Sequence, residues 1–160
     1  MERYKGFEPV YDKDSELLIL GSFPSVKSRR TDFYYGNPQN RFWKTVCGYF
    51  GEEVPVSTEG KKEFLLRRSI ALWDVVTECE IDGSKDDTIR NFSVADIPGL
   101  VKKARIRRIA LNGGKAYEIF VQNFAGIGVP YVKLPSTSPA NTRFSLKEWE
   151  DALQNVDGRA

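Results

Sequence analysis

A chain of 160 residues is long enough for one domain with a hydrophobic core, so we expect a single domain over residues 1–160 with an irregular N-terminal arm over residues 1–15. Apolar residues make up 41% of the sequence and charged residues 29%, and no apolar run approaches the roughly 20 residues that span a membrane. The N-terminus is too polar for a signal peptide, so we expect a cytoplasmic protein without a membrane partner. The net charge of +2 is only weak support for a polyanionic partner.

The absence of histidine and the low number of cysteines exclude several kinds of catalytic and metal site. The sequence contains no histidine and only two cysteines, Cys47 and Cys79. A Ser-His-Asp triad, a Cys-His pair and a histidine-ligated metal are therefore excluded. Two cysteines are also too few for an iron–sulfur cluster or an all-cysteine zinc site. Any general base has to be a carboxylate, a lysine, a tyrosine or a positioned water.

In chain order, short apolar runs alternate with segments of helical periodicity. The apolar runs predict buried strands over residues 16–20, 70–76, 106–111 and 130–134. The periodic segments predict helices over residues 41–50, 61–68 and 115–124, and a last helix that Ser145 and Glu148 begin with a capping box. Residues 77–91 predict a polar loop, after which Ser93 is the expected N-cap of a helix that reaches about residue 104 and contains Pro98.

Buried strands that alternate with helices are typical of a parallel sheet covered on both faces. We therefore predict an α/β fold, a three-layer α/β/α sandwich with a central parallel sheet of about four strands. In such sheets ligands bind beyond the carboxyl ends of the strands. The candidate site loops are then residues 21–43, 112–115 and 134–143.

The loop over residues 21–43, GSFPSVKSRRTDFYYGNPQNRFW, carries the strongest functional signal. Its aromatic side chains are interleaved with the basic residues Lys27, Arg29, Arg30 and Arg41. This composition suits a pocket that stacks a flat ring close to a phosphate backbone. A later basic cluster, around residues 102–108, is interpreted as a solvated face.

The other two loops offer groups that bind anions. Residues 134–143, LPSTSPANTR, place three hydroxyls between prolines, where they can donate to phosphate oxygens. The turn Asn112-Gly113-Gly114-Lys115 is a weaker anion site at a helix start, and it lacks the spacing of a Walker A loop.

Taken together, the three loops resemble the motifs of the uracil-DNA glycosylase superfamily. The first motif of that family is a strand followed by G-x-x-P and then an asparagine-arginine-aromatic run, which is similar to the GSFPS and NRFW segments here. LPSTSPANTR resembles the second motif, a polar loop that contacts DNA, and LNGGKAYE resembles the matching strand-to-helix turn. The resemblance extends from about residue 17 to residue 153.

The departures from the family pattern narrow the resemblance to one branch. Phe23 stands where the mismatch-specific branch has its catalytic asparagine and the classical branch an aspartate. The segments GSFPS, YYGNPQN and LPSTSPAN are most similar to those of the hypoxanthine-DNA (deoxyinosine) glycosylases. In that branch the catalytic asparagine lies in the NPQN segment, which maps onto Asn40.

This resemblance implies a monofunctional DNA repair glycosylase that hydrolyses the N-glycosidic bond of a flipped deaminated base, hypoxanthine first. We expect it to act as a monomer on DNA containing such a base, with water as the nucleophile and with no metal and no cofactor. Asn40 would be the catalytic residue. The base pocket would comprise Gly21, Ser22, Phe23, Pro24 and Tyr35. DNA contacts would come from Ser136, Thr137, Ser138, Ala140, Asn141, Arg143 and Lys115, with Ala140 and Asn141 at the wedge position.

Several alternatives remain open at this point. Asn40 is also well placed to be only the N-cap of the helix that begins at Arg41. Tyr34 and Tyr35 could pack under the loop, and Trp73 and Asp74 are interpreted as structural. The protein could instead be a uracil-specific or broad mismatch glycosylase, or a binder of nucleotides or damaged DNA without catalytic activity.

Overall fold

The computed structural model describes residues 3–157, with side chains described as far as residue 154. Its strands are β1 (Arg3–Lys5), β2 (Leu17–Gly21), β3 (Ile70–Asp74), β4 (Val76–Glu80), β5 (Arg90–Val94), β6 (Arg108–Asn112) and β7 (Tyr131–Leu134). Its helices are α1 (Val26–Thr31), α2 (Phe42–Tyr49), α3 (Thr58–Arg67), α4 (Ile97–Lys103), α5 (Gly114–Phe124) and α6 (Leu146–Asp157), and a short 3₁₀ turn covers Asp86–Thr88.

The central sheet contains four parallel strands in the order β3-β2-β6-β7. Leu17 of β2 lies opposite Ile70 of β3 and Arg108 of β6, and Ile109 of β6 lies opposite Tyr131 of β7. The predicted strands thus agree with the observed ones to within about two residues, except for residues 70–76. All four strands end at the same edge of the sheet, as parallel pairing requires.

Alternate residues of β2 separate the two halves of the core. Leu17 and Ile19 pack with buried residues of α2, α3 and α6, whereas Leu18 and Leu20 pack with those of α4 and α5. Both faces of the sheet are therefore covered by helices, and the predicted three-layer α/β/α architecture is confirmed. Because the central strands are covered on both faces, their sequences are continuously apolar and do not alternate with polar residues.

A second, antiparallel sheet was not predicted. It has the strand order β1-β4-β5. The N-terminal arm is therefore not irregular throughout, because Arg3–Lys5 pairs with β4. Residues 77–91 are not a plain loop either, since they include most of β4, the 3₁₀ turn and the start of β5. Every side chain of β5 is exposed, so this strand is held by main-chain pairing and leaves no apolar pattern in the sequence.

Two predicted boundaries near this sheet were wrong. The predicted strand over residues 70–76 is two strands, because β3 ends at Asp74 and Val76 begins β4. Ser93 is a residue of β5 and does not cap a helix. The side chain of Asp96 accepts the N–H of Gly99 and caps α4, with Pro98 in the first turn, where a missing N–H costs nothing.

The loop over residues 21–43 contains a short helix that was not predicted. Ser25 caps α1 by accepting the N–H of Ser28, and α1 ends at Thr31. Tyr34, which follows it, is buried and donates its hydroxyl to the carbonyl of Glu8 at 2.8 Å. The loop is therefore a folded segment that packs on the core.

No helix within residues 3–157 is both long enough and apolar enough to span a membrane.

Candidate active site

The carboxyl ends of the four parallel strands open into a cleft of about 1000 Å³. Gly21, Asp74, Asn112 and Leu134 are the last residues of β2, β3, β6 and β7, and all four line the cleft. Its walls come from the loops that follow β2 and β7 and from residues 84–87. A binding site at this edge is what a parallel α/β sheet predicts.

The fold brings nearly all of the predicted site residues into this cleft. Those that line it are Gly21, Ser22, Phe23, Pro24, Tyr35, Asn40, Ser136, Thr137, Ser138, Ala140, Asn141 and Arg143. The exception is Lys115, which does not line the cleft and forms an ion pair with Glu118 at 3.2 Å. Lys133, which the sequence analysis did not single out, lines the cleft instead.

Gly21 forms a closely packed part of the cleft floor. A Cβ atom built on Gly21 would lie 2.6 Å from Oδ1 of Asp74 and 2.9 Å from the hydroxyl oxygen of Tyr35. Both distances are shorter than a non-bonded contact allows, so only glycine lets the three groups approach one another in this arrangement.

Tyr35 is held in a restrained conformation beside this floor. Its backbone φ is 53°, a left-handed value that few residues other than glycine adopt. Its ring stacks on Phe42, with 4.2 Å between the ring centroids and 20° between the ring planes. Strained residues of this kind persist where the surrounding structure holds them and are concentrated at functional sites.

Asn112 joins the two main walls of the cleft. Its amide nitrogen donates to the Tyr35 hydroxyl at 3.2 Å and to Oγ1 of Thr137 at 3.0 Å, and its oxygen accepts the N–H of Thr137 at 3.0 Å. Thr137 is completely buried, so its hydroxyl supports the loop from within. Because buried amides are costly to leave unpaired, this network fixes the position of Tyr35 relative to the loop over residues 134–143.

Asn40 hydrogen-bonds the start of a helix and also lines the cleft. Its Oδ1 accepts the N–H of Phe42, the first residue of α2, at 2.9 Å. This bond fixes the orientation of the amide, and within residues 3–157 its nitrogen has no hydrogen-bond partner. Asn40 is thus not the N-cap itself, since Arg41 holds that position and α2 begins at Phe42, but its side chain accepts the first N–H of the helix. This bond leaves the amide N–H groups and one carbonyl lone pair free.

Arg41 ties the loop over residues 134–143 to the start of α2. Its guanidinium donates to the carbonyls of Ser138 at 3.0 Å and Asn141 at 3.1 Å, and its backbone N–H donates to the carbonyl of Thr137 at 3.0 Å. Arginine suits this position because its planar group can bind two carbonyls at once.

The hydroxyls of Ser136 and Ser138 keep their protons available for a ligand. Ser136 Oγ accepts the N–H of Ser138, and Ser138 Oγ accepts the N–H of Ala140, each at 3.1 Å. A hydroxyl that accepts a backbone N–H keeps its own proton available for another acceptor. Asn141 braces the loop internally, since its amide donates to the carbonyl of Ser136 at 2.9 Å.

Comparison with known proteins identifies the family. The sequence matches the model of the uracil DNA glycosylase superfamily over residues 8–156. The chain belongs to this superfamily. It is 40% identical to a hypoxanthine DNA glycosylase of Methanosarcina acetivorans, over 94% of this chain and 98% of that protein. A hypoxanthine DNA glycosylase of Methanosarcina barkeri is 33% identical, with the same coverage of both chains.

A solved structure agrees with the fold. The solution NMR structure of a candidate uracil DNA glycosylase from Methanosarcina acetivorans superimposes with a TM-score of 0.86 and is 38% identical. The alignment covers 98% of this chain and 99% of that one. The resemblance to the uracil-DNA glycosylases that the sequence motifs suggested is thus confirmed, and the chain is a DNA glycosylase whose substrate is DNA.

Three polar residues that line the cleft had no individual role predicted from the sequence. Asp74 was interpreted as structural, Asn112 was considered only as part of a glycine turn, and Asp86 was not considered. The position of Asp74 and Asn112 at the cleft could have been predicted, because each is the polar residue that ends a buried apolar strand. No feature of the sequence marked Asp86 as a cleft residue, since it lies in a polar segment whose position depends on the unpredicted second sheet.

Asp74 is a buried carboxyl group under the cleft floor. Its side chain is 5% exposed, and its Oδ2 has no hydrogen-bond partner among the described residues. Burial, and secondly the negative charge of Asp86, raise the pKa of Asp74 to about 8, although a backbone hydrogen bond from Gly21 opposes the shift. At neutral pH Asp74 is therefore mainly the uncharged acid.

This shift predicts that the protein loses stability as pH rises. In the unfolded chain Asp74 ionises near about pH 4, so between that value and about pH 8 folding takes up a proton. The contribution of Asp74 to the free energy of unfolding is complete below about pH 4. It then falls by at most about 1.4 kcal/mol per pH unit up to about pH 8. We expect urea unfolding between pH 5 and pH 8 to show a smaller loss of stability for Asp74→Asn than for wild type.

Asp82→Asn is the matched control, since it makes the same chemical change at an exposed carboxyl outside the buried floor of the cleft. Parallel stability curves for wild type and Asp74→Asn would contradict the assignment of a protonated Asp74.

Proposed function

We propose that this DNA glycosylase excises hypoxanthine from deoxyinosine in DNA and leaves an abasic site. The observation that carries the proposal is the meeting of Tyr35 and Asn40 in one cleft at the carboxyl edge of the sheet. The curated relatives at 40% and 33% identity, both hypoxanthine DNA glycosylases, support the choice of base. We further propose that the enzyme acts as a monomer, since one chain supplies every wall of the cleft.

The flipped base would stack on Tyr35. One face of the Tyr35 ring packs against Phe42, so the opposite face is the one available to a ligand. The backbone around Ser22 and Phe23 would hydrogen-bond the base edge, and the buried ring of Phe23 would form part of the wall. Stacking plus recognition of the base edge is how enzymes hold a base outside the duplex.

Asn40 would bind the substrate through the part of its amide that the helix cap leaves free. The amide N–H groups can donate to an acceptor on the base, and the second lone pair of Oδ1 can orient water. Hydrogen bonds to the base stabilise the negative charge that develops on it as the glycosidic bond breaks. Asn40 is a poor proton acceptor, so its role would be to position and stabilise.

The loop over residues 134–143 would contact the DNA backbone. Ser136 and Ser138 would donate their free protons to phosphate oxygens, and Arg143 would add a charged contact. Thr137 would act through loop shape, because its side chain is buried. Ala140, exposed beside Asn141 at the wedge position, is small and would enter the duplex only slightly where the nucleotide flips out. Lys115 would act on the phosphates from a distance.

Cleavage assays with matched oligonucleotides test the proposal. Duplexes with a single deoxyinosine, deoxyuridine or deoxyxanthosine are incubated with excess enzyme, and abasic sites are revealed by alkali. We expect deoxyinosine to be cleaved fastest, and we expect no DNA adduct after borohydride, since the enzyme would be monofunctional. A trapped adduct would contradict the monofunctional proposal.

Uracil is the second candidate substrate, because the superimposable NMR structure is described as a candidate uracil DNA glycosylase. Faster cleavage of the deoxyuridine duplex would establish it in place of hypoxanthine. Specific binding to the deoxyinosine duplex without any abasic product would indicate a damage-binding protein.

A further inference from the structure

Hydrolysis at the cleft needs a proton acceptor, and neither Tyr35 nor Asn40 supplies one. The attacking water loses a proton as it bonds to the sugar, and an amide such as that of Asn40 does not accept it. The sequence has no histidine, and Phe23 carries no polar atom on its side chain. A carboxylate is the side chain best suited to this task near neutral pH.

Three carboxyl groups line the cleft among the described residues, namely Asp74, Asp86 and Asp87. Asp74 is only 5% exposed, packs against Gly21 and is mainly protonated, so it is poorly suited to accept a proton from a water in the cleft. Asp86 differs because it is exposed to the cleft and its carboxyl is held in place. Asp87 has no such restraint from the loop that follows β2.

The turn that carries Asp86 is docked on the loop that follows β2. Ser22 Oγ donates to Oδ1 of Asp86 at 2.8 Å. Ser84 Oγ accepts the N–H of Val26 at 2.8 Å, and the Arg29 guanidinium donates to the carbonyl of Gly83 at 3.2 Å. These three contacts place the Asp86 carboxyl next to Ser22 and Phe23, at the proposed base pocket, although Asp86 is 64 residues from Ser22 in sequence.

We propose that Asp86 is the general base of the glycosylase reaction, an inference that rests on the function proposed above. Asp86 accepts a proton from the water whose oxygen bonds to C1′ of the flipped nucleotide. The C1′–N9 bond breaks, and its electron pair leaves with hypoxanthine, which takes up a proton from solvent. Asp86 then returns its proton to solvent, so the net reaction consumes one water and yields free base and an abasic sugar.

The electrostatic surroundings suit this role. The surrounding protein atoms raise the pKa of the Asp86 carboxyl, and Asp87 adds to the rise, while the Ser22 hydrogen bond and the charge of Lys115 oppose it. Asp74 and Tyr35 face Asp86 from β3 and the loop after β2. Lys27, Arg30 and Lys85 line the same cleft. A raised pKa makes a carboxylate a stronger base, and the reaction accelerates as pH rises through that value.

Single-turnover cleavage of a deoxyinosine duplex as a function of pH tests the proposal. Asp86→Asn keeps an oxygen that can accept the Ser22 hydroxyl, so the turn should stay docked. We expect Asp86→Asn to lower the plateau rate by at least about 100-fold and to abolish the rise of rate with pH. Asp87→Asn should move the rise of rate to lower pH, because Asp87 raises the pKa of Asp86.

Chemical rescue provides a second test. If Asp86 only supported the fold, an added carboxylate would not restore the cleavage activity. Asp86→Ala opens space beside Ser22, and added formate should restore part of its activity while leaving Asp87→Ala unchanged. Wild type that cleaves deoxyinosine while Asp86→Asn keeps its rate and pH dependence would overturn the role of Asp86 alone. A wild-type protein that cleaves no deaminated base would overturn the proposed function as well.

Discussion

Replacement of Asn40 by alanine is expected to reduce single-turnover cleavage of a deoxyinosine duplex by about 100- to 1000-fold. This is the typical effect of removing one hydrogen-bond donor that stabilises charge developing in a transition state. The amide nitrogen of Asn40 is free to provide such a bond, because only Oδ1 is engaged in capping α2. Asn40→Asp keeps the capping oxygen and lacks the amide donor, so it should lose activity while keeping the stability of wild type.

Loss of the helix cap is the competing explanation and has its own control. Removing a cap costs about 1 kcal/mol of stability whether or not the residue is functional. Ser57 caps α3 by accepting the N–H of Gly60 at 2.9 Å and does not line the cleft. Ser57→Ala should therefore match the stability loss of Asn40→Ala in thermal melts while cleaving at the wild-type rate. Equal cleavage rates for Asn40→Ala and wild type would leave Asn40 as a helix cap only.

Replacement of Tyr35 by alanine is expected to lower kcat/KM for deoxyinosine duplexes by about 5- to 150-fold, since stacking contributes roughly 1–3 kcal/mol per base. Tyr35→Phe keeps the ring and its stack on Phe42, and loses only the hydrogen bond to Asn112. It should stay within a few-fold of wild type in activity and lose about 1 kcal/mol of stability. The fluorescence of 2-aminopurine beside the lesion reports base flipping in the same series.

Tyr35 could also affect activity by packing alone, and Tyr49 provides the comparison. Tyr49 is a partly buried aromatic residue that packs on Phe50 and does not line the cleft. Tyr49→Ala should lower the melting temperature without slowing cleavage. If Tyr35→Ala behaves like Tyr49→Ala, with normal flipping and cleavage, Tyr35 is a packing residue and the base stacks elsewhere.

Local chemistry explains which parts of the fold were predictable. The strands β2, β3 and β6 are almost entirely buried, so their apolar runs stand out in the sequence. The edge strand β7 is only partly buried and exposes Lys133, and its apolar run is correspondingly shorter. The antiparallel sheet did not stand out, because β5 exposes every side chain and is held by main-chain hydrogen bonds to β4. Main-chain pairing is nearly independent of side-chain type, which is why it leaves little trace in sequence.

The candidate site divides in the same way. The cleft residues Ser22, Tyr35 and Asn40 lie in one continuous segment, and they were predicted from the resemblance of the loop after β2 to the family motif. Asp74 and Asn112 became site residues only because parallel pairing brings the ends of β3 and β6 beside Gly21. The sequence shows that Asp74 and Asn112 are polar. Whether such a side chain is ionised, hydrogen-bonded or exposed depends on the residues that surround it in the folded protein.

The sequence by itself determined the class of protein, a parallel α/β domain of the uracil DNA glycosylase superfamily, and it pointed to three candidate site loops. Only the tertiary structure decided how those loops work together. It turned Asp74 into a buried acid, linked Tyr35 to Thr137 through Asn112, and brought Asp86 to Ser22 across 64 residues of chain. These are long-range contacts, and their free energies depend on burial and distance, which the order of residues does not specify.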